Sequence, residues 1–296
     1  MTSNAYVTLS LYASGGSMNS QAAKALSKGR ESLEQLRWVL LNTLQAIFLF
    51  WWTALWVAIT FCILPFDRER AIATARRYWA DGLLWAAGCE LDAEGFDELP
   101  DEPVIFLFNH QSMLDIPVCF AATGRNFRFI AKKEVAYIPL IGWFVWAMGM
   151  IFIDRKNLDR AKESLEQAGQ VVREGACVLG YPEGGRSRDG RIKPLKKGLF
   201  MLALNAQVPV VPVALEGTLD VLPSDGFRIR PGKVRVKAGT PIQTAGMTLD
   251  DRDVLMEQVH HALIDLHLDV GGCGGPRSPS VAPSREKRSK KAKKAA

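Results

Sequence analysis

Between Trp38 and Phe66 the chain runs for 29 residues without a charged side chain, WVLLNTLQAIFLFWWTALWVAITFCILPF. That exceeds the roughly 20 residues that cross a bilayer as a helix, so the fold must give this segment lipid or bury it whole. Trp51, Trp52 and Trp56 lie in the middle of the run, not at its ends where tryptophan meets lipid headgroups. The flanks are alike, with Lys24, Lys28, Arg30 and Arg37 before the run and Arg68, Arg70, Arg76 and Arg77 after it. Equal flanks and a central aromatic cluster favour a helix lying in the membrane interface, or a pair that dips in and returns; a single span is the alternative.

Residues 1–23 carry no charge and no sustained apolar block, which argues against an export signal. We expect 1–30 to be mostly unstructured, with Met18 an alternative start, and 31–95 to be a helical, membrane-associating region. Within that region 67–89 forms a second amphipathic helix, and FDELPDEP at 96–103 has the acids and prolines of a connection. Beyond it, apolar runs at 104–108, 127–131, 150–153, 177–181 and 210–215 alternate with helical patterns, the clearest at 157–174. This alternation predicts an α/β domain over 96–270, a largely parallel sheet flanked by helices. A second uncharged run, Val135 to Ile153, is broken by Pro139, Gly142 and Gly149, so it reads as an apolar loop and short helix on the membrane-facing surface.

The formal net charge of +6 comes from one end of the chain. Residues 271–296 hold eight basic side chains against Glu286, leaving −1 for residues 1–270. This tail opens on GGCGGPRSPS, cannot bury apolar surface and is expected to be disordered. The five cysteines include no C-x-x-C pair and no zinc spacing, so no metal is expected. Scattered thiols suit a reducing compartment, and we place the site at the cytoplasmic face of a membrane. His260, His261 and His267 fall on a C-terminal amphipathic helix and read as ordinary solvated or packing residues.

His110 is the remaining histidine. It sits in FLFNHQSMLD, in the turn between an apolar strand and a helix with Ser112 as its N-cap. A neutral imidazole can take a proton from a hydroxyl near neutral pH, the more so if a carboxylate fixes its tautomer. Asp115, in the first helical turn, can reach back to do this, or can simply close an S-x-x-D capping box. Downstream, YPEGGRSRDG at 181–190 follows another strand; its glycines permit close backbone approach, and Arg186 and Arg188 offer forks suited to phosphate. No G-x-S-x-G elbow marks a covalent nucleophile.

In order, NHQSMLD (109–115), GMIFIDR (149–155), YPEGGRSRDG (181–190) and VPVVPVAL (208–215) resemble the blocks of the 1-acylglycerol-3-phosphate acyltransferase family. AKKEVAYIPLIGWF and KPLKKGLFMLA agree between the blocks, and the resemblance covers about residues 80–245. It implies acyl transfer from acyl-CoA or acyl carrier protein to the 2-hydroxyl of lysophosphatidic acid, forming phosphatidic acid for phospholipid biosynthesis with no cofactor. His110 and Asp115 would be the catalytic HX4D pair. Arg155, Glu183, Gly184 and Arg186 would bind the glycerol phosphate, and Val208, Pro209 and Pro212 would shape the acyl pocket. Two residues depart from the family's F-P-E-G-T-R-S: Tyr181 replaces the Phe and Gly185 the Thr. The loss of that hydroxyl keeps another acceptor, such as a lyso-ornithine lipid, as an alternative. A non-catalytic protein binding membranes or nucleic acid through its basic tail is the alternative from another class; it leaves all four blocks unexplained, and no specific nucleic-acid partner is expected.

Overall fold

The computed structural model of the chain describes residues 16–154 and 158–276. Arg155 and the basic tail from residue 277 onward, both singled out from the sequence, lie outside the described residues. The chain divides into two compact units, 1–47 and 48–296.

One helix, α1 (Gly16–Ile63), carries the long uncharged run. It begins well inside the segment expected to be mostly unstructured. Residues 20–37 are rich in Ala, Leu, Lys, Glu, Gln and Arg, the stronger helix formers, and no proline occurs before Pro65. In the first unit Leu33, Leu36, Val39, Leu40 and Leu44 are all exposed. By length and composition, 23–63 could cross a membrane.

In the second unit the chain turns after Ile63 into α2 (Arg68–Thr74), whose N-cap Asp67 accepts a hydrogen bond from the Arg70 backbone N–H. A π-helical turn (Ala75–Trp79) joins it to α3 (Ala80–Ala87). The central tryptophans have a packing reason here. Trp52 donates to the Trp79 carbonyl at 3.2 Å, Trp79 donates to Thr53 at 3.3 Å, and Trp56 stacks on Tyr78. Their position therefore reflects the returning helices and carries no information about headgroup depth.

The sheet has seven strands: β1 (Cys89–Glu94), β2 (Ile105–Phe108), β3 (Phe127–Lys132), β4 (Ile151–Ile153), β5 (Cys177–Gly180), β6 (Val210–Glu216) and β7 (Gly232–Ala238). Their order is β1-β7-β6-β2-β5-β3-β4, parallel throughout except between β6 and β7. The boundary expected near residue 95 cuts this sheet, because β1 pairs with β7 along its whole length. CELDAE escapes notice as a strand since it lies at the sheet edge, mostly exposed, where charged side chains protect an unpaired rim.

Central β2, IFLF, is buried on both faces, as parallel strands covered by helices are. Phe106 and Phe108 join Val211, Val213, Leu215 and Phe129 in one core, against α3 and α4 (Asp115–Thr123). Ile105, Leu107, Val178 and Val210 point the other way, to α6 (Leu158–Arg173), α7 (Gly198–Ala206) and α9 (Arg252–Asp269). Between β3 and β4 a 3₁₀ turn (Lys133–Tyr137) and the short α5 (Ile141–Ala147) carry exposed Tyr137, Trp143 and Trp146. A four-residue α8 (Thr218–Val221) follows β6. Since β6, β2, β5 and β3 are neighbours and parallel, their carboxyl ends share one edge, the edge where open α/β sheets hold ligands.

Candidate active site

Each of those four strands delivers a polar residue to that edge: Lys132 closes β3, His110 follows β2, Tyr181 to Arg186 follow β5, and Glu216 closes β6. His110 is held from several sides. Its neighbour Asn109 pairs with the β6 backbone, donating to Leu215 O at 2.9 Å and accepting from Leu215 N at 2.8 Å, as a further strand residue would. The His110 N–H donates to Glu183 at 2.8 Å, and its carbonyl accepts from the Ser187 N–H at 2.6 Å. The turn after β5 is thereby fastened to the turn after β2.

The His110 Nδ1 lies 2.6 Å from Asp115 Oδ2. Asp115 is fully buried; the same oxygen accepts from the Gln111 and Ser112 N–H groups, and Oδ1 accepts from the Thr218 hydroxyl at 2.6 Å. An acceptor-only carboxylate places the proton on Nδ1, so Nε2 carries the lone pair. Asp115 lies against the imidazole and also accepts from backbone donors of its own turn, Gln111 and Ser112. Ser112 is not the N-cap: α4 begins at Asp115, and the Ser112 hydroxyl donates to Leu222 O while accepting from the Leu114 N–H. Tyr181 stacks on the His110 ring at 3.9 Å and 12°. Its hydroxyl is 3.5 Å from Cys119 Sγ, and burial pushes both groups well above their ordinary pKa values, so both stay neutral.

Glu183, expected to help bind the glycerol phosphate, is engaged with the backbone of two turns. It is buried, and its two carboxylate oxygens accept from the backbone N–H groups of His110 and Lys193. The Lys193 ammonium then pins the same turn through the Gly185 and Arg186 carbonyls. Gly184, which lines the cavity, has φ +75°, a conformation that favours glycine; a Cβ on Gly185 would meet nothing within 4 Å. Burial raises the Glu183 pKa to about 7 against the pull of its two N–H donors and Lys193. The folded state therefore keeps the proton longer than the unfolded chain, whose carboxyl titrates near 4.5. The stability from this group is full below about pH 4.5 and falls by on the order of 3 kcal/mol as pH rises to about 7. Glu183→Gln, which cannot titrate, should show a flatter fall in thermal midpoint across this window than the wild type; equal slopes would contradict the assignment.

His110, Lys132, Gly184, Gly185 and Arg186 open onto a cavity of about 670 Å³ whose other walls include Leu49, Trp79, Phe120, Phe129, Phe144 and Met148. Val208, Pro209 and Pro212, expected to shape an acyl pocket, do not line it. Side chains alternate along a strand, and Pro212 shares the face of Val210, in the core opposite the cavity. Val208 packs against that same core, and the Pro209 carbonyl accepts from Ile105 N in the strand ladder. The apolar wall comes instead from α1 and helices α3, α4 and α5. Lys132, Asn109 and Thr218 were not found from the sequence. Lys132, just after the apolar run 127–131 and inside the stretch AKKEVAYIPLIGWF that agrees with the family, is the one with a usable signal.

The Acyltransferase family model matches residues 90–216. The chain is 39% identical over 189 residues to the chloroplastic 1-acyl-sn-glycerol-3-phosphate acyltransferase BAT2 of Brassica napus, covering 61% of this chain and 53% of that one. It thus spans about half the length of that relative. It is 35% identical over 231 residues to a 1-acyl-sn-glycerol-3-phosphate acyltransferase of Chlamydomonas reinhardtii, covering 72% of this chain and 68% of that one. With the protein of the same name from Limnanthes douglasii it shares 32% over 212 residues, 71% of this chain and 75% of the relative. The crystal structure of the 1-acyl-sn-glycerophosphate (LPA) acyltransferase PlsC from Thermotoga maritima superposes with a TM-score of 0.64 at 26% identity, covering 77% of this chain and 94% of that one. Similar in sequence along most of such relatives and built on the same fold, the chain belongs to the 1-acyl-sn-glycerol-3-phosphate acyltransferase family.

Proposed function

We propose that the chain moves a fatty acyl group from acyl-CoA or acyl carrier protein to the 2-hydroxyl of lysophosphatidic acid, forming phosphatidic acid. The observation that carries this reading is the His110–Asp115 pair opening onto an apolar cavity that also presents Lys132 and Arg186. His110 Nε2 takes the hydroxyl proton as the oxygen attacks the thioester carbonyl, forming the new C–O bond. The tetrahedral intermediate collapses, the C–S bond breaks, and the imidazolium returns its proton to the leaving thiolate. A thioester is already activated, so this step calls for neither an acyl-enzyme nor a metal.

Lys132 and Arg186 hold the acceptor phosphate by charge-assisted hydrogen bonds, while the apolar walls take the chains. Arg155 joins them in this reading, on the strength of the family pattern. Lys132→Ala and Arg186→Ala should each raise KM for lysophosphatidic acid about tenfold, the loss expected for a hydrogen bond to a charged group. KM for the donor should move less; an equal rise for both substrates would remove the phosphate-binding role.

The enzyme works at a membrane surface in this reading. The uncharged run of α1 supports that, as do Tyr137, Trp143 and Trp146, which are 76%, 59% and 60% exposed around the α5 turn. We place the site on the cytoplasmic side, where free thiols such as Cys62 and Cys273 persist. A second reading keeps the mechanism and changes the acceptor to a lysolipid with a larger head group, such as a lyso-ornithine lipid. It is favoured by the open space beside Gly185 where the family's Thr would stand. Competition between the two acceptors for one labelled donor separates these readings.

A further inference from the structure

His267, near the end of α9, is fully buried although the sequence marks it as an ordinary helix residue. Its Nδ1 accepts from the Gly274 N–H at 3.1 Å, so Nε2 carries the proton and donates to Glu216 Oε2 at 2.5 Å. The same carboxylate oxygen accepts from the Gln111 side-chain nitrogen at 2.9 Å. That nitrogen also donates to Gly190 O at 3.1 Å and lies 3.1 Å from His267 Nε2. Burial pushes the Glu216 carboxyl upward, but the hydrogen bonds from His267 and Gln111 outweigh it and hold the group below its ordinary range.

The chain after α9 is built around this histidine. A Cβ on Gly272 would stand 2.2 Å from His267 Nε2, so only glycine lets the backbone pass the ring so closely. The Gly274 carbonyl then accepts from the Ile192 N–H, tying the segment to the loop that carries Arg186 and Gly190. GGCGG, expected from composition to open a disordered tail, is here a fitted strap.

Gln111 is where this network reaches the chemistry. Its side chain belongs to the His267–Glu216 set, its N–H donates to Asp115 Oδ2 at 2.7 Å, and it directly follows His110. We propose that His267 is a positioning residue for acyl transfer, acting through Glu216 and Gln111 to keep His110 and Asp115 in register. This rests on the acyltransferase reading above. Without the His267 N–H, Glu216 loses a donor and rotates, Gln111 follows it, and the base shifts against its carboxylate. A displacement of about 1 Å at a reacting centre costs on the order of 10²-fold in rate.

The test is steady-state acyl transfer to lysophosphatidic acid by the full chain in lipid vesicles, comparing wild type, His267→Phe and His267→Gln. Phe keeps a ring of similar size without polar atoms; Gln restores one donor and one acceptor. We expect kcat to fall by about 10- to 100-fold in His267→Phe, with both KM values within about twofold, and Gln to recover most of the loss. Should His267→Phe fail to fold, Glu216→Gln, which keeps the shape at a less buried position, is expected to show the same loss in kcat. Unchanged kcat in whichever of these variants folds, or a loss confined to KM, overturns the role of His267 while leaving the reaction standing. A wild type inactive on lysophosphatidic acid and on other lysolipids overturns the reaction and this inference together.

Discussion

Replacing His110 with Ala is expected to lower kcat for acyl transfer by about 10³-fold, within the range a positioned general base supplies. The loss should fall on kcat, because in the proposed function the acceptor phosphate is held by Lys132 and Arg186 and the acyl chain by apolar walls, all of which the substitution leaves in place. Stability should change little. Asp115 keeps three other donors, from Gln111, Ser112 and Thr218, and the His110 backbone keeps its bonds to Glu183 and Ser187. The informative result is thus a folded protein with its normal thermal midpoint, normal lipid binding and almost no turnover. Turnover within a few-fold of wild type in such a protein would mean that another group takes the proton.

Asp115→Asn is expected to lose both activity and stability. Four donors converge on this buried carboxylate, three of them on Oδ2. Asn offers one acceptor oxygen and one NH2 group, so either orientation turns a donor against a donor. If the NH2 faces His110, the imidazole must place its proton on Nε2, the atom that should receive the substrate proton. A rate loss of about 10³-fold or more follows from the wrong tautomer. Unsatisfied buried donors add a stability cost of about 3 kcal/mol. Kinetics and thermal unfolding on both variants separate the two positions: His110→Ala should lose turnover alone, Asp115→Asn turnover and melting temperature together. Asp115→Asn melting at the wild-type temperature would contradict the hydrogen-bond assignment.

What the sequence made legible follows from where each interaction is encoded. Five strands, β2 to β6, stand out as mostly apolar runs, because a parallel strand covered on both faces is largely apolar; Arg128 within β3 is the exception, paired with Glu69. β1 and β7 were not singled out: CELDAE and GKVRVKA alternate with charge and lie toward the edge of the sheet, where the pattern resembles a polar loop. The His110–Asp115 pair was readable because both members lie within one turn. The partners that make it work are more than 70 residues away, and no local spacing announces them: Glu183, Thr218, Leu215 and, through Gln111, His267.

Residue types that signalled one role in sequence have another in the fold. Glu183, in a motif expected to bind the glycerol phosphate, braces two backbone turns. Val208, Pro209 and Pro212 belong to or lead into a central strand whose other face, with Val211, Val213 and Leu215, packs in the core with Phe106 and Phe108. The glycines at 271–275, expected to open a disordered tail, are a close-packed strap. In each case the role depends on which side of the sheet a residue faces or on its neighbour across it, which local composition does not encode.

The most direct measurement is acyl transfer by vesicle-bound wild-type protein given lysophosphatidic acid and a labelled acyl thioester, followed by analysis of the position of the label. Label at the 2-position of phosphatidic acid, appearing with wild type and absent with His110→Ala, is the expected result. Label that forms equally with both proteins, or enters no lysolipid at all, would contradict the assignment of this site as an acyltransferase centre.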